Sequence, residues 1–342
     1  MGDGIFYIVC CSQERDGGVA MLRRGPGGGY EVGAFTGLAG ANYLVVSADG
    51  RHLYASGSGA DMSGYVAALR VRSDGALTEV SRAATGGNGC CHLCLSPDGR
   101  RLYAANYRSG SVSGFAVTPD GALTERCEFD QHTGRGVDPD RQEGPHAHFC
   151  GFDPEGGFLL VNDLGLDKIF AYPYDPAHGI DVAAAYENPV VPAGQGPRHL
   201  LFEPEGTCLL ITEMGNRIQR LAYAEGRFTK LAEASTLPPG TAEKTKAAAL
   251  RISPDGRFVI ASNRGFDSLA VFERRTLQLV SCVPSGGRSP RDFAFLSDGR
   301  TVVAANEFEP NAVFFDFDAE RGVLTPTGEV LTMARPLCVL PR

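Results

Sequence analysis

A four-residue turn recurs along this chain and constrains its fold more than any other feature. The form is Ser-Pro-Asp-Gly or a close variant: SADG at Ser47, SPDG at Ser96, DPEG at Asp153, EPEG at Glu203, SPDG at Ser253 and LSDG at Leu296. The steps between them are 49, 57, 50, 50 and 43 residues. Proline in second place and glycine in fourth suit a type I turn joining two strands. Such a period marks a chain built by copying one unit, not by enlarging one core.

Strand-like sequence flanks each turn. Before it, apolar residues keep period two: Leu44 and Val46, Leu93 and Leu95, Cys150 and Phe152, Leu200 and Phe202, Leu250 and Ile252, Phe293 and Phe295. After it comes a second apolar run, such as RRLYAAN or RFVIASN, then a polar loop, a third strand such as SVSGFAV, and a fourth near a second turn such as PDGALTE. Four short strands in about 40–50 residues, repeated around a centre, predict an all-β chain with the architecture of a β-propeller. Six turns account for six blades. The N-terminal strand IFYIVCC lacks an inner neighbour, and the C-terminal ARPLCVLP looks like the inner strand SPRDFAFL. Joined, they predict a seven-bladed β-propeller over residues 1–342, a single domain in which the C-terminal strand closes the first blade.

Composition narrows the partners. A net charge of -8 argues against nucleic-acid binding. No apolar run nears the ~20 residues a membrane span needs. The start, MGDGIFYIVCC, has neither a basic segment nor a small-residue cleavage site, so no signal peptide is expected. Phe6 occupies the place where a myristoylation motif needs Ser or Thr. Ten scattered cysteines, with neighbours at Cys10-Cys11 and Cys90-Cys91, show no zinc-ligand spacing. They read as reduced, mostly buried thiols of a cytoplasmic protein. The expectation is a soluble binder of a small molecule, without cofactor or metal, as monomer or dimer. An anionic substrate would need its own local cluster of Arg and His.

Topology places such a cluster. If the Pro-Asp-Gly turns share one face, then the starts of the inner strands and the ends of the second strands meet on the other. Five residues before each turn stand Asn42, Cys91, His148, Arg198, Ala248 and Arg291, with His92, His146, His199 and Asp292 beside them. The second strands end in Asn106-Tyr107, Asn162-Asp163, Thr212-Glu213, Asn263-Arg264 and Asn306-Glu307. Counting His132, five of the seven histidines are expected near this mouth. The long connection QHTGRGVDPDRQEGPHAH emerges on the same face, so Arg135 and Arg141 are expected at its rim.

Each residue type carries a chemical and a structural reading. His146 and His148, one residue apart on a strand, should point the same way as a base, an oxyanion donor or two metal ligands, or simply as hydrogen-bonding partners. Arg198 and Arg264 suit a phosphate or carboxylate, or salt bridges to Asp163 or Glu213. Glu213 could activate water, or neutralise Arg198. The asparagines at strand ends read as caps for loop backbone, Cys91 as packing, and Tyr107 as lining.

The strings GCCHLCLSPDGRRLYAANYRSGSVSGF, RQEGPHAHFCGFDPEGGFLLVNDLGLDKIFAY, GQGPRHLLFEPEGTCLLITEMGN and ISPDGRFVIASNRGFDSLAVF resemble the propeller lactonase family, from about Asn42 to the C-terminus. GPHAH, GPRH and SNRG in that order carry the resemblance. The family includes propeller-type 6-phosphogluconolactonases and the carboxy-muconate lactonizing enzyme. The resemblance implies site residues His148, Arg198, Glu213 and Arg264, with His146 beside them. Relatives often have an acidic residue at Ala249 and Gln at Glu307, so one mouth carboxylate is lost and another gained. The activity implied is hydrolysis of 6-phosphoglucono-1,5-lactone to 6-phosphogluconate, with Glu213 or His148 as base and Arg198 and His146 at the oxyanion. Arg264, Arg291, His199, His92 and Arg141 would bind the substrate and its phosphate. A muconolactone-type cycloisomerase and a non-catalytic propeller binding carbohydrate or protein are the alternatives.

Overall fold

The computed structural model describes residues 4–241 and 245–342, and their regular elements are strands grouped into seven sheets. Blade 1 contains both ends of the chain, with Pro336–Pro341 innermost, then Phe6–Cys10, Gly18–Arg24 and Tyr30–Gly37. The terminal strand pairs antiparallel with the first, Tyr7 opposite Leu340 and Val9 opposite Cys338, so the ring is closed by hydrogen bonds. Blades 2 and 3 span residues 41–88 and 90–131, blades 4 and 5 residues 147–188 and 197–235, blades 6 and 7 residues 246–284 and 290–332. Blade 4 departs from the pattern at its outer edge, where Lys168–Asp175 is covered in part by Gly179–Ile180 and in part by Tyr186–Asn188.

The repeated turn is locally self-sufficient. In SPDG at Ser96, the Ser96 hydroxyl donates to Asp98 Oδ1 (2.6 Å) and accepts from Arg101 N (2.9 Å), and Asp98 Oδ1 also accepts from Arg100 N (3.0 Å). Gly99 then takes φ +68°, the left-handed conformation that lets a type I turn rejoin the next strand. Apolar residues of neighbouring sheets interdigitate into seven clusters, one in each wedge between blades. Phe6, Ile8, Val303 and Phe314 fill the wedge between blades 7 and 1, and Tyr54, Val66, Leu102 and Phe115 that between blades 2 and 3. This burial stabilises each blade against its neighbours, and no blade could bury its faces alone.

Every inner strand breaks register near its start. The shifts fall between Ala41 and Tyr43, Cys90 and His92, Ala147 and Phe149, Pro197 and His199, Ala247 and Leu250, and Pro290 and Asp292, with a matching one at Pro336/Cys338 in the closing strand. These are β-bulges, and the skipped residues are Asn42, Cys91, His148, Arg198, Ala248 (with Ala249), Arg291 and Leu337. A bulge leaves its residue out of the ladder and re-aims its side chain. The positions reached by simple alternation thus face the channel for a different reason than alternation.

Candidate active site

The face opposite the Pro-Asp-Gly turns holds a cavity of about 540 Å³. Five bulge residues line it, Asn42, Cys91, His148, Arg291 and Leu337, together with Tyr107, Glu213, Arg264 and Glu307 from the ends of second strands and Arg141 from the long connection. Its described lining carries six cationic side chains, Arg108, Arg141, Lys246, Arg264, Arg291 and Arg335, against two carboxylates, Glu213 and Glu307. In a chain of net charge -8 this concentrates positive potential at one opening.

Glu213 is the hub. Its carboxylate is buried and meets Arg264 Nη2 at 2.7 Å, Arg141 Nη2 at 2.7 Å and Arg198 Nε at 3.1 Å. Burial alone would push this carboxyl up, but Arg264, Arg198, His148 and Arg141 overcome it and hold it well below the carboxylate range. Arg198 lies beneath the cavity, its Nη1 donating to His199 Nε2 (3.1 Å) and to the Ala248 carbonyl. Burial, with Arg264 and Arg291 nearby, pulls its pKa down to about 9. Arg141 also donates to the Tyr107 hydroxyl (3.0 Å). Two buried N–H groups here have no protein partner among the described residues, Arg141 Nη1 and Arg264 Nε. Glu307 forms a second, looser centre, with Arg335 at 2.8 Å and Arg291 at 3.7 Å.

His148 is the one histidine on the cavity wall. Its Nε2 stands 3.9 Å from Glu213 Oε2, and its buried Nδ1 has no partner among the described residues. Burial and then Arg198 drive its pKa well below the imidazole norm, so the ring is neutral.

The other histidines expected at the mouth go elsewhere. His146 does not point with His148, because the bulge at His148 cancels the alternation. His146 stacks on Tyr107 (4.6 Å) and its Nδ1 donates to the Tyr107 carbonyl (2.9 Å). His92 and His199 sit below the cavity, His92 between Tyr43 and Phe149, and their rings are 5.5 Å apart. His132 is buried within blade 4's side, against Phe170, bound to Asp163 and Tyr172. Arg135 is exposed and does not line the cavity, whereas Arg141 does. Asp163 makes no salt bridge to Arg198, and Asp292 pairs with Arg251 (2.6 Å). The strand-end asparagines are structural. Asn162 donates to the Arg198 carbonyl in the inner strand of the next blade, and Asn263 and Asn306 donate to the Thr236 and Ser285 carbonyls in the connections that lead into their own blades. Ala249 is core, packed with Phe293 and Val302. Cys91 packs against the His148 carbonyl, burial raising its pKa to about 12.

Sequence reasoning missed three cations. Lys246 opens the inner strand of blade 6 two residues before the bulge, and Arg108 follows the Asn-Tyr pair already singled out. Arg335 immediately precedes the closing strand, so aligning ARPLCVLP with SPRDFAFL held the signal for it.

Fold and site together define a class: a seven-bladed β-propeller with one anion-collecting polar mouth. The sequence pattern of the family described as "Lactonase, 7-bladed beta-propeller" matches residues 5–341, and the chain belongs to that family. It is 34% identical over 310 residues to the 6-phosphogluconolactonase of Bacillus subtilis, covering 88% of this chain and 87% of that one. Among solved structures, the periplasmic gluconolactonase PpgL of Pseudomonas aeruginosa is similar with a TM-score of 0.90 and 28% identity, over 98% of both chains. A putative 6-phosphogluconolactonase of Bacteroides fragilis is similar with a TM-score of 0.88 and 26% identity, again over 98% of both chains.

Proposed function

We propose that this chain hydrolyses 6-phosphoglucono-1,5-lactone to 6-phosphogluconate. The observation that carries the reading is the mouth itself: a neutral, partly unpartnered His148 beside a carboxylate held by three arginines, within an excess of cationic side chains. Family membership and the Bacillus relative's name support it.

Of the two candidates for the base, the geometry favours His148. Glu213 is too strongly stabilised as an anion by Arg264, Arg198 and Arg141 to take a proton readily. His148 is unprotonated and lines the cavity. Water attacks the lactone carbonyl as His148 accepts its proton, and Glu213 at 3.9 Å stabilises the imidazolium. The guanidinium groups of Arg141 and Arg264, which line the cavity, receive the oxyanion, an effect of about 3 kcal/mol per well-placed donor. Collapse breaks the bond from the carbonyl carbon to the ring oxygen, which takes the proton back from His148. Arg291 and Lys246 hold the phosphate, since neither hydrogen-bonds a carboxylate among the described residues and both line the cavity. His146, His92 and His199 are left supporting roles, and Arg198 orients Glu213. No step calls for a cofactor, and a cytoplasmic location belongs to the same reading.

Freshly generated 6-phosphoglucono-1,5-lactone, glucono-1,5-lactone and a carboxy-muconate, assayed side by side, test this. The phosphorylated lactone is expected to have the highest kcat/KM. Equal or faster turnover of glucono-1,5-lactone would move the assignment toward the activity named for the Pseudomonas neighbour. Turnover of the muconate alone would replace hydrolysis with cycloisomerisation, and no turnover of any would leave a binding propeller.

A further inference from the structure

We infer that His132 and Asp163 are positioning residues for Arg141, clamping both ends of the segment that lays it across the mouth. The role rests on the reading of that mouth as the lactone site. Residues 132–146 form the longest connection near it, and its two ends meet on one carboxylate. Asp163 Oδ2 accepts from His132 Nδ1 (2.6 Å), and Asp163 Oδ1 accepts from His146 N (2.7 Å) and Leu166 N (3.1 Å). His132 N adds a bond to the Gly110 carbonyl (3.0 Å). Inside the segment, buried Gln142 ties the middle: its Oε1 accepts from Val137 N and Asp138 N, and its Nε2 donates to the Leu164 carbonyl (2.9 Å). Arg141 is the next residue back, and it reaches Glu213 and Tyr107 only while this frame stands. Asp163 is fully buried, so a carboxylate there persists because every one of these donors satisfies it.

The clamp is anchored further into the strands beneath it. Three hydrogen bonds run in series, Asp163 to His132, His132 Nε2 to the Tyr172 hydroxyl (2.7 Å), and that hydroxyl to Asp130 Oδ2 (2.7 Å). Phe170 stacks on the His132 imidazole at 3.8 Å and fixes the plane of the ring.

The test compares His132→Gln and the milder Tyr172→Phe, each alone and combined with Arg141→Met. Crystal structures of the single variants are expected to show Arg141 withdrawn from Glu213. The kcat for 6-phosphoglucono-1,5-lactone should fall on the order of tenfold or more, with KM changed less, because the displaced group acts on the oxyanion of the transition state. Adding either change to Arg141→Met should cost nothing further. Arg141 unmoved in both crystal structures, or losses that multiply in the double variants, would overturn the inference. A wild type that turns over no lactone would remove the proposed function, while the crystallographic comparison still decides the clamp.

Discussion

Glu213 shows how a residue can be legible in type and not in role. Its place at the end of a second strand follows from the repeat, and an acid beside arginines suggests either a base or a counter-ion. Only the contacts of Arg264, Arg198 and Arg141, which arrive from three segments, favour the counter-ion. The two roles separate in the variants. Glu213→Gln leaves three buried or half-buried guanidinium groups without their shared partner, and should lower unfolding stability by about 3 kcal/mol or more in urea titrations, along with activity. His148→Gln removes a group with an unpartnered nitrogen, and should cut kcat by about 10²–10⁴ with the urea midpoint nearly unchanged. Full activity in His148→Gln would exclude it as the base. The H-x-H pair was misleading for a local reason: strand alternation predicts one shared direction, and one bulge residue is enough to undo it.

Among the elements, the turn and the strand pair are written almost completely in local sequence, because Ser, Asp and Gly satisfy the turn from within. The bulge is not. It shows no composition of its own, since Asn42, Cys91, His148, Arg198, Ala248, Arg291 and Leu337 share nothing but position. The closing strand was legible only through its likeness to an inner strand of another blade. It is expected to be indispensable, because it buries Leu337, Cys338 and Val339 and covers the edge of Phe6–Cys10. Removing residues 336–342 should give a chain that aggregates on size-exclusion chromatography and lacks a cooperative melt. A monomer with native near-UV circular dichroism would show that six blades and a raw edge suffice. Gly110 offers a finer probe of the long connection. At φ +62° a Cβ there would lie 2.3 Å from Pro145 Cβ, so Gly110→Ala should displace the end that His146 anchors.

For the whole molecule, three neutral histidines lie on or beneath the mouth, and they make stability depend on pH. Burial and then Arg198 lower His148 and His199 well below the imidazole norm, and lower His92 to about 3. Unfolded imidazoles bind protons below about pH 6.5. The folded ones do not until far lower, so between those limits the unfolded state binds more protons, and stability falls as pH falls. The melting temperature should be level between pH 7 and 8 and drop from 6.5 toward 5, with a shallower drop in His148→Gln. A level profile down to pH 5 would mean that these rings are charged in the folded protein. The sequence by itself determined the sevenfold plan, the strand order, the closure by the C-terminal strand and the inner-strand and strand-end positions from which the mouth is built, because period and turn chemistry act between near neighbours. Tertiary structure alone decided that one histidine of five enters the cavity, that Arg335 and Lys246 join it, and that Glu213 is enclosed by arginines from the long connection and from blades 5 and 6. Those outcomes depend on bulges and ion pairs between segments far apart in the chain, which meet only when the ring closes.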